Sequence, residues 1–234
     1  MKLTIVIFCF NEKATILKAI EQARQITIDK EIIVIDNCST DGTKDILELL
    51  EKSATLKVVI HNKNMGVGYS VNEGISLAQG EYFYAPCADL EYKMEDVYKM
   101  MEKIEKENLD AVFGSRLLER KETSKFKLIK ERPYWLGSII ATFLINLFYK
   151  RDFTDVIATK LINTNILKKL GCLATNQAFE FELVSRLCKK GYKIGEVPVW
   201  YKPRTHKEGK TIKARDMLPA LWVILRIKFL INKN

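Results

Sequence analysis

The strongest constraint on the fold of this chain is the regular alternation of short apolar runs and helical segments in its first half. The unbroken β-branched run at Leu3–Phe8 predicts a buried strand, and the apolar spacing after it predicts a helix. The predicted strands cover residues 3–8, 31–35, 57–61, 81–85 and 111–114. The predicted helices cover residues 14–25, a segment from the turn at 40–42 to about 52, 69–78 and 94–107. Strands separated by helices of this length predict an α/β fold, a Rossmann-like, mostly parallel sheet flanked by helices.

The second half has a less regular pattern, which begins after Gly114. A basic connector leads to an apolar segment at 134–149, then to short pieces around Asp155 and at Leu161–Leu167. A helix near 179–190 and a strand near 193–199 follow. The chain has 234 residues and no linker-like stretch, so we expect one domain that spans 1–234.

Charge and cysteine usage narrow the function classes. Five cysteines without a C-x-x-C pair, and no signal-peptide pattern at the start, predict reduced thiols in the cytoplasm. Only two histidines are present, which leaves little for zinc sites or histidine-based triads. The net charge of +9, with basic clusters at 121–132 and 202–213, suits a solvated surface, anionic lipid headgroups or a phosphate-bearing substrate. No nucleic-acid-binding motif accompanies the charge, so we expect no nucleic acid partner.

Two apolar segments, 134–149 and 217–231, raise the question of a membrane. The first is shorter than the roughly 20 residues that a spanning helix needs. The second is interrupted by Arg226 and Lys228. Both carry Trp or Tyr beside basic residues, which is typical of helices that lie on a bilayer, although a core helix explains either segment as well. We expect peripheral association with the cytoplasmic face of a membrane.

Polar side chains follow three of the predicted strands at the point where each strand ends. The first strand is followed by Phe10-Asn11-Glu12, the second runs into Asp36 and the segment to Thr43, and the fourth leads to Cys87–Glu91. Each carboxylate by itself could serve a helix start or a turn. Because parallel strands end at one edge of a sheet, together they predict a site for a ligand with hydroxyls and for a metal ion. Gly66-Val67-Gly68 is a weak phosphate-loop signal, which the turn into a helix explains equally well.

At these residues the sequence resembles the family-2 glycosyltransferases of the GT-A fold. The resemblance is greatest to the branch that contains dolichyl-phosphate mannosyltransferase and bacterial polyprenyl-phosphate glycosyltransferases. The blocks that carry it lie at 8–12, 34–43, 64–68, 88–92, 112–116 and 192–199, followed by Arg204-Thr205 and Glu208-Gly209-Lys210. Six blocks in the right order make a chance match improbable. The resemblance implies a nucleotide-sugar-binding half at 1–116 and an acceptor-binding half at 117–234, with membrane-surface helices at 134–149 and 217–231.

The resemblance also implies roles for individual residues on the donor side. Base and ribose would contact Phe10, Glu12 and Asp36, because carboxylates accept hydrogen bonds from hydroxyls and ring N–H groups. The family's Asp-Ala-Asp motif stands here as Cys87-Ala88-Asp89, so the first aspartate is replaced. Ala88 and Asp89 would still contact the donor. Mg²⁺ or Mn²⁺ would be held by Asp89 and Glu91, since both ions prefer hard oxygen ligands.

Basic residues and a candidate base complete the implied site. Arg116, Arg204 and Lys210 match basic family positions near the donor diphosphate. Asp155 matches a family aspartate that positions the acceptor or acts as base, with Glu180 and Glu182 as rivals.

The function implied by the resemblance is metal-dependent, inverting transfer of a hexose from a GDP- or UDP-linked sugar to a polyprenyl or dolichyl phosphate. An anchoring partner protein in the membrane is compatible with this function. One alternative is a cell-envelope polysaccharide or glycolipid glycosyltransferase on the same scaffold. A further alternative, favoured by Cys87, is an inactive homologue that only binds a nucleotide sugar.

Overall fold

The strands and helices form in the order that the sequence predicts. The structure is a computed structural model that describes residues 1–50, 56–118, 135–171, 174–176, 178–204 and 217–230. The strands are β1 (Leu3–Cys9), β2 (Lys30–Asp36), β3 (Lys57–Ile60), β4 (Tyr82–Tyr84), β5 (Ala111–Ser115), β6 (Lys160–Asn163) and β7 (Ile194–Pro198). The helices are α1 (Ile16–Gln25), α2 (Thr43–Leu50), α3 (Val67–Leu77), α4 (Asp96–Lys106), α5 (Trp135–Tyr149), α6 (Thr164–Leu170), α7 (Phe179–Lys189) and α8 (Met217–Phe229).

The seven strands form one sheet in the order β3-β2-β1-β4-β6-β5-β7. All pairs are parallel except those of β6, which runs antiparallel to both β4 and β5. The prediction of a mostly parallel sheet flanked by helices is therefore confirmed. The short piece predicted at 161–167 is the end of β6 followed by the start of α6. Because β6 is reversed, its first residue, Lys160, lies at the edge where the parallel strands have their carboxyl ends.

Both faces of the sheet are covered, which explains why the strands are apolar without alternation. On β1, Ile5 and Ile7 pack under α1 and α4, whereas Val6 packs on the other face with α3 and α7. Sequential side chains of one strand therefore enter two separate hydrophobic cores.

The two apolar segments form helices that each bury only part of their surface. On α5, Trp135, Ala141 and Ile145 are buried. Other large apolar side chains of the two helices are exposed: Leu136, Ile140, Phe143 and Leu147 on α5, and Trp222, Leu225 and Phe229 on α8, with Leu230 directly after it. The two helices contact each other through Phe148 and Phe229, whose ring centroids are 5.7 Å apart. Among the residues that the structure describes, no helix has the length and apolar character needed to cross a bilayer.

Candidate functional site

A cleft of about 860 Å³ lies at the carboxyl edge of the sheet. It is enclosed by the loop after β1, the loop after β4 and the segment that follows β7. Its lining residues are Asn11, Glu12, Lys13, Ala14, Thr15, Asp41, Asp89, Leu90, Lys202, Pro203 and Arg204. The prediction that polar strand ends meet at one edge is thus realised by the two loops that carry Glu12 and Asp89.

Three non-glycine residues in the strand-end loops adopt the left-handed backbone conformation. They are Asn11, Cys38 and Leu90, with φ of 57°, 69° and 56°, and they follow β1, β2 and β4. Asn11 is one of the few residue types that tolerate this conformation, and its side chain accepts a hydrogen bond from the amide of Thr40, in the loop after β2, at 2.8 Å. For the bulky Leu90 it is an outlier, and such residues cluster at ligand-binding sites. The strained positions thus mark the same edge as the carboxylates.

The centre of the cleft is a cluster of three carboxylates around one guanidinium group. Both terminal nitrogens of Arg204 donate to Glu12, at 3.0 and 2.9 Å. One of them lies 3.7 Å from Oδ2 of Asp89. The backbone amide of Arg204 donates to Glu91 at 2.8 Å, and the amide of Glu91 donates to Oδ1 of Asp89 at 3.0 Å. The cluster joins residues from the loops after β1 and β4 and from the segment after β7, so it forms only in the folded chain.

The cluster carries more negative than positive charge. Burial, helped by the charges of Glu91 and Glu12, raises the pKa of Asp89 to about 6, although the hydrogen bond from the amide of Glu91 and the charge of Arg204 oppose the rise. The raised pKa shows that one guanidinium group does not balance the three neighbouring carboxylates. A further cation would offset this excess of negative charge.

The donor atoms at Asp89 and Glu91 fit Mg²⁺ or Mn²⁺ in chemical type. Mg²⁺ is commonly held by one or two carboxylates together with substrate phosphate oxygens and water. In the described part of the chain, no three acidic, histidine or cysteine side chains are placed so that together they could hold a metal ion. The two carboxylates fit an ion whose remaining ligands come from a bound diphosphate and from water.

Three further residues that are predicted to contact the donor differ in their exposure: Phe10, Asp36 and Ala88. Phe10 is 47% exposed beside the cleft. Asp36 is fully buried, where it accepts hydrogen bonds from the amide and hydroxyl of Ser39. Its carboxylate thus shapes the loop after β2, and its contact with a nucleotide stays a prediction. Ala88 is buried and its amide donates to the carbonyl of Phe8 at 3.0 Å, which fixes the loop after β4.

Arg116 and Asp155 form a buried ion pair with each other. The guanidinium group donates to both oxygens of Asp155, at 2.6 and 2.9 Å, and to the hydroxyl of Ser138. It also lies over the rings of Trp135 and Tyr201, at 4.4 and 5.1 Å from their centroids. Burial by itself would raise the pKa of Asp155, but the charge of Arg116 and its hydrogen bonds lower it overall. The structure thus places Arg116 with Asp155 and not among the residues that line the cleft at the carboxyl edge, and Asp155 is fully buried.

Of the two rivals of Asp155, only Glu180 is accessible. Its side chain is 42% exposed, and its Oε2 lies 2.5 Å from Nζ of Lys160. Glu182 is fully buried, where it pairs with Arg186 and accepts from the amide of Ala174. The remaining predicted site residue, Lys210, lies outside the described residues.

The two glycines at the start of α3, Gly66 and Gly68, pack against the segment before α7. Gly66 has φ +85°, and a Cβ atom there would lie 2.3 Å from the carbonyl oxygen of Thr175. A Cβ atom on Gly68 would lie 2.3 Å from the carbonyl oxygen of Ala174. The amide of Gly68 donates to the carbonyl of Thr175 at 2.9 Å. Of the two explanations of the glycines, the structure favours a tight turn into a helix.

Sequence reasoning did not single out two polar groups at this edge. Lys160 is buried at the reversed end of β6 and pairs with Glu180. His61, at the end of β3, contacts Glu73 at 2.5 Å and Asn37 at 3.1 Å. The apolar pattern of a strand does not reveal its direction in the sheet, so neither the reversal of β6 nor the position of Lys160 could be read from the sequence.

The chain is similar in sequence to known proteins. A family model described as "Glycosyl transferase family 2" matches residues 4–171. The uncharacterized protein MJ0544 of Methanocaldococcus jannaschii is 29% identical over 200 residues, 82% of this chain and 84% of that protein. The low-salt glycan biosynthesis hexosyltransferase Agl6 of Haloferax volcanii is 25% identical, over 86% of this chain and 48% of the relative.

A third relative is named for a lipid-linked acceptor. It is the dolichyl N-acetyl-alpha-D-glucosaminyl phosphate 3-beta-D-2,3-diacetamido-2,3-dideoxy-beta-D-glucuronosyltransferase of Methanococcus voltae, 28% identical over 82% of this chain and 63% of that protein. The chain thus spans about half to two thirds of the two relatives with named activities.

Solved structures share the fold at low identity. Glucosyl-3-phosphoglycerate synthase of Mycobacterium tuberculosis, with Mn²⁺, UDP-glucose and phosphoglyceric acid, superposes with a TM-score of 0.66 at 15% identity, over 99% of this chain and 81% of that chain. TarS of S. aureus with UDP-GlcNAc gives 0.61 at 18% identity, over 97% and 66%.

Proposed function

The chain belongs to glycosyl transferase family 2 and is a hexosyltransferase that uses a nucleotide sugar, and we propose that it transfers the hexose to a lipid-linked acceptor at a membrane surface. The proposed transfer inverts the configuration of the sugar and depends on a divalent metal ion. The observation that carries this proposal is the cluster of Glu12, Asp89, Glu91 and Arg204 in the cleft at the carboxyl edge. A metal-binding carboxylate pair beside an arginine is what a departing nucleoside diphosphate requires.

Each member of the cluster has a proposed task in binding the donor. Asp89 and Glu91 would hold Mg²⁺ or Mn²⁺, which when bound neutralises charge on the diphosphate. The guanidinium group of Arg204 has the fork geometry that phosphate oxygens accept as well as carboxylates do. When Arg204 turns to a phosphate, Glu12 is released to accept hydrogen bonds from ribose hydroxyls. The ion pair between Glu12 and Arg204 thus holds both groups in place before the donor arrives.

The need for a base depends on the acceptor. A hydroxyl acceptor needs a group that removes its proton, whereas a lipid phosphate is already anionic. Glu180 is the proposed base for a hydroxyl acceptor, because it is the accessible one of the three candidates. Asp155 and Arg116, which bind each other under the aromatic rings of Trp135 and Tyr201, are proposed to position the acceptor side of the site.

The exposed apolar face of α5 and α8 supports the proposal of a membrane-bound acceptor. Its side chains recur at helical spacing, at 136, 140, 143 and 147 on α5 and at 222, 225 and 229 on α8. Basic residues border the face: Lys150 and Arg151 follow α5, and Arg226 and Lys228 lie in the last turn of α8. A bilayer with anionic headgroups complements both properties, since each basic residue near such a surface contributes about 1 kcal/mol.

Two kinds of lipid acceptor are proposed, one from the sequence resemblance and one from the name of a relative. One is a polyprenyl phosphate, as the resemblance to dolichyl-phosphate mannosyltransferase implies. The other is a sugar already linked to a lipid phosphate, as in the name of the Methanococcus voltae relative. The second is the alternative function, in which the enzyme extends a glycolipid and uses Glu180.

A donor and acceptor screen tests the proposal. GDP-mannose, UDP-glucose and UDP-GlcNAc are each incubated with Mn²⁺, with and without a polyprenyl phosphate or a polyprenyl-phosphate-linked sugar, and the released nucleoside diphosphate is measured. Release that requires one of the lipid acceptors is expected. No release from any donor with either acceptor would refute the proposed transfer, as would equal release after removal of all divalent metal.

A variant pair assigns the effect to the cluster. Asp89→Asn keeps the shape of the side chain and the hydrogen bond from Glu91, but it removes the charge. Turnover should fall at least about a hundredfold, as for the loss of one electrostatic group that acts on the leaving charge. Asp152→Asn, an exposed aspartate outside the cleft, is the matched control and should leave turnover unchanged.

A further inference from the structure

A second, smaller cavity of about 110 Å³ lies beneath the same edge of the sheet. Its walls are mostly apolar and come from β1, α3, β4, β6 and α7. They include Phe8, Val71, Phe83, Ala85, Ile162 and Leu183. The donor cleft shares none of its lining residues with this cavity. The chain therefore builds two neighbouring spaces of different chemistry at one edge.

The exposed part of the small cavity's wall lies next to the carboxylate cluster. Cys87 and Val67 belong to its wall and are exposed. Cys87 lies two residues before Asp89, so the opening adjoins the carboxylate cluster. Lys160 and Glu180 also line the cavity, and their ion pair supplies its polar side. A sugar bound between Asp89 and Glu180 would thus lie over the opening.

The size and lining of the cavity define what it can hold. Cavities lined by Leu, Ile and Phe stay dry, and one of about 150 Å³ takes up a molecule as large as benzene. A space somewhat smaller than that accommodates a group of a few carbon atoms. Water gains little there, because few polar atoms face the interior.

The residue at the mouth agrees with an apolar occupant. Cys87 stands where the resemblance expects an aspartate, whose carboxylate would bind sugar or ribose hydroxyls. A free cysteine behaves as a small hydrophobic residue with a weak donor. A charged carboxylate at the opening would lose hydration when an apolar group covered it, whereas the thiol does not.

We propose that this cavity receives a short apolar substituent, such as the methyl end of an N-acetyl group, of a sugar that lies over Cys87. The proposal rests on the proposed hexosyl transfer and deepens it, because it names a class of sugar. The ion pair of Lys160 and Glu180 would face the polar amide of the substituent. The sugar is either that of the donor or that of a glycosylated lipid acceptor, and the chemistry of the cavity is the same for both.

The test fills the cavity and measures selectivity. In Ala85→Val the two added methyl groups enter the space, and binding of UDP-GlcNAc and UDP-glucose is measured by calorimetry for this variant and the wild type. In the acceptor arm, kcat/KM is compared for polyprenyl-phosphate-linked GlcNAc and polyprenyl-phosphate-linked glucose. The preference for the acetylated sugar should fall at least about tenfold in one arm, as expected when room for one or two carbon atoms is lost. The affected arm identifies the sugar that carries the group.

A second variant keeps the test decisive if Ala85→Val folds poorly. Ile75→Val enlarges the same cavity by one methylene, and it should raise the preference for an N-propanoyl over an N-acetyl sugar in that arm. Unchanged preferences in both arms, with thermal midpoints near that of the wild type, would overturn the proposal. Transfer that proceeds normally with unchanged preferences refutes only the cavity inference. Absence of any transfer, with calorimetric binding unaffected by either variant, refutes both.

Discussion

Replacing Asp155 by asparagine tests whether this residue acts on the acceptor's proton or holds the fold together. Asparagine keeps the shape of the side chain and removes its charge. In the structure that charge is fully buried and lies 2.6 Å from Nε of Arg116. The variant therefore leaves a guanidinium group in the interior without a counter-ion.

The expected loss of unfolding free energy in Asp155→Asn follows from the cost of a buried charge without a counter-ion. Removal of one partner of a buried ion pair typically costs about 3–5 kcal/mol. The rings of Trp135 and Tyr201, which lie against Arg116, offset part of this cost, so we expect about 3 kcal/mol. With an unfolding slope of about 3 kcal/mol per molar urea, the midpoint should fall by about 1 M.

Urea unfolding followed by tryptophan fluorescence measures this shift, with activity recorded on the same samples. Asp152→Asn, three residues away and exposed, is the control and should unfold like the wild type. The double variant Arg116→Met with Asp155→Leu should recover part of the stability, because an apolar pair needs no counter-charge. Recovery should be incomplete, since the amide of Ile157 loses its acceptor. An Asp155→Asn protein that unfolds like the wild type but has lost turnover would refute this reasoning and make Asp155 a catalytic base.

Three further outcomes are expected. The pKa of Asp155 is lowered in the folded protein, so the contribution of its charge to stability is complete above the ordinary aspartate pKa of about 3.9 and is lost as the pH falls below that value. The urea midpoints of wild type and Asp155→Asn should therefore differ less at pH 3 than at pH 7. Phe143→Ser should reduce co-sedimentation with anionic vesicles, whereas Leu49→Ser, at a similarly exposed position on α2, should not. Equal vesicle binding by the two variants would contradict the assignment of the apolar face. Glu180→Gln should slow transfer to a lipid-linked sugar by about 10²–10⁴-fold but change transfer to a polyprenyl phosphate only slightly, and equal losses with both acceptors would contradict its role as base.

Most of the sheet and the meeting of the strand-end carboxylates could be predicted from local sequence signals. The pairings that could not be predicted have a physical reason. Strand and helix periodicity needs only a short window, so the first five strands were predictable. Glu12 and Asp89 meet because parallel strands end at one edge, which is a general rule of such sheets. The pairing of Arg116 with Asp155 spans 39 residues, and no local pattern encodes it. The resemblance implied that Arg116 contacts the donor and that Asp155 contacts the acceptor, whereas in the structure the two side chains bind each other.

The antiparallel strand β6 also governs how the chain must fold. It pairs through Phe83 with Ile162 on one side and through Val112 with Leu161 on the other, so it is the only link between β4 and β5 in the described sheet. During synthesis β5 emerges about 45 residues before β6, and until then both strands keep open edges. Such non-local closure is slow and leaves intermediates prone to aggregate. A nascent chain of this protein is thus most vulnerable between the exit of Ser115 and the exit of Asn163, when strands β1 to β5 are complete in sequence but β5 is not yet joined to β4.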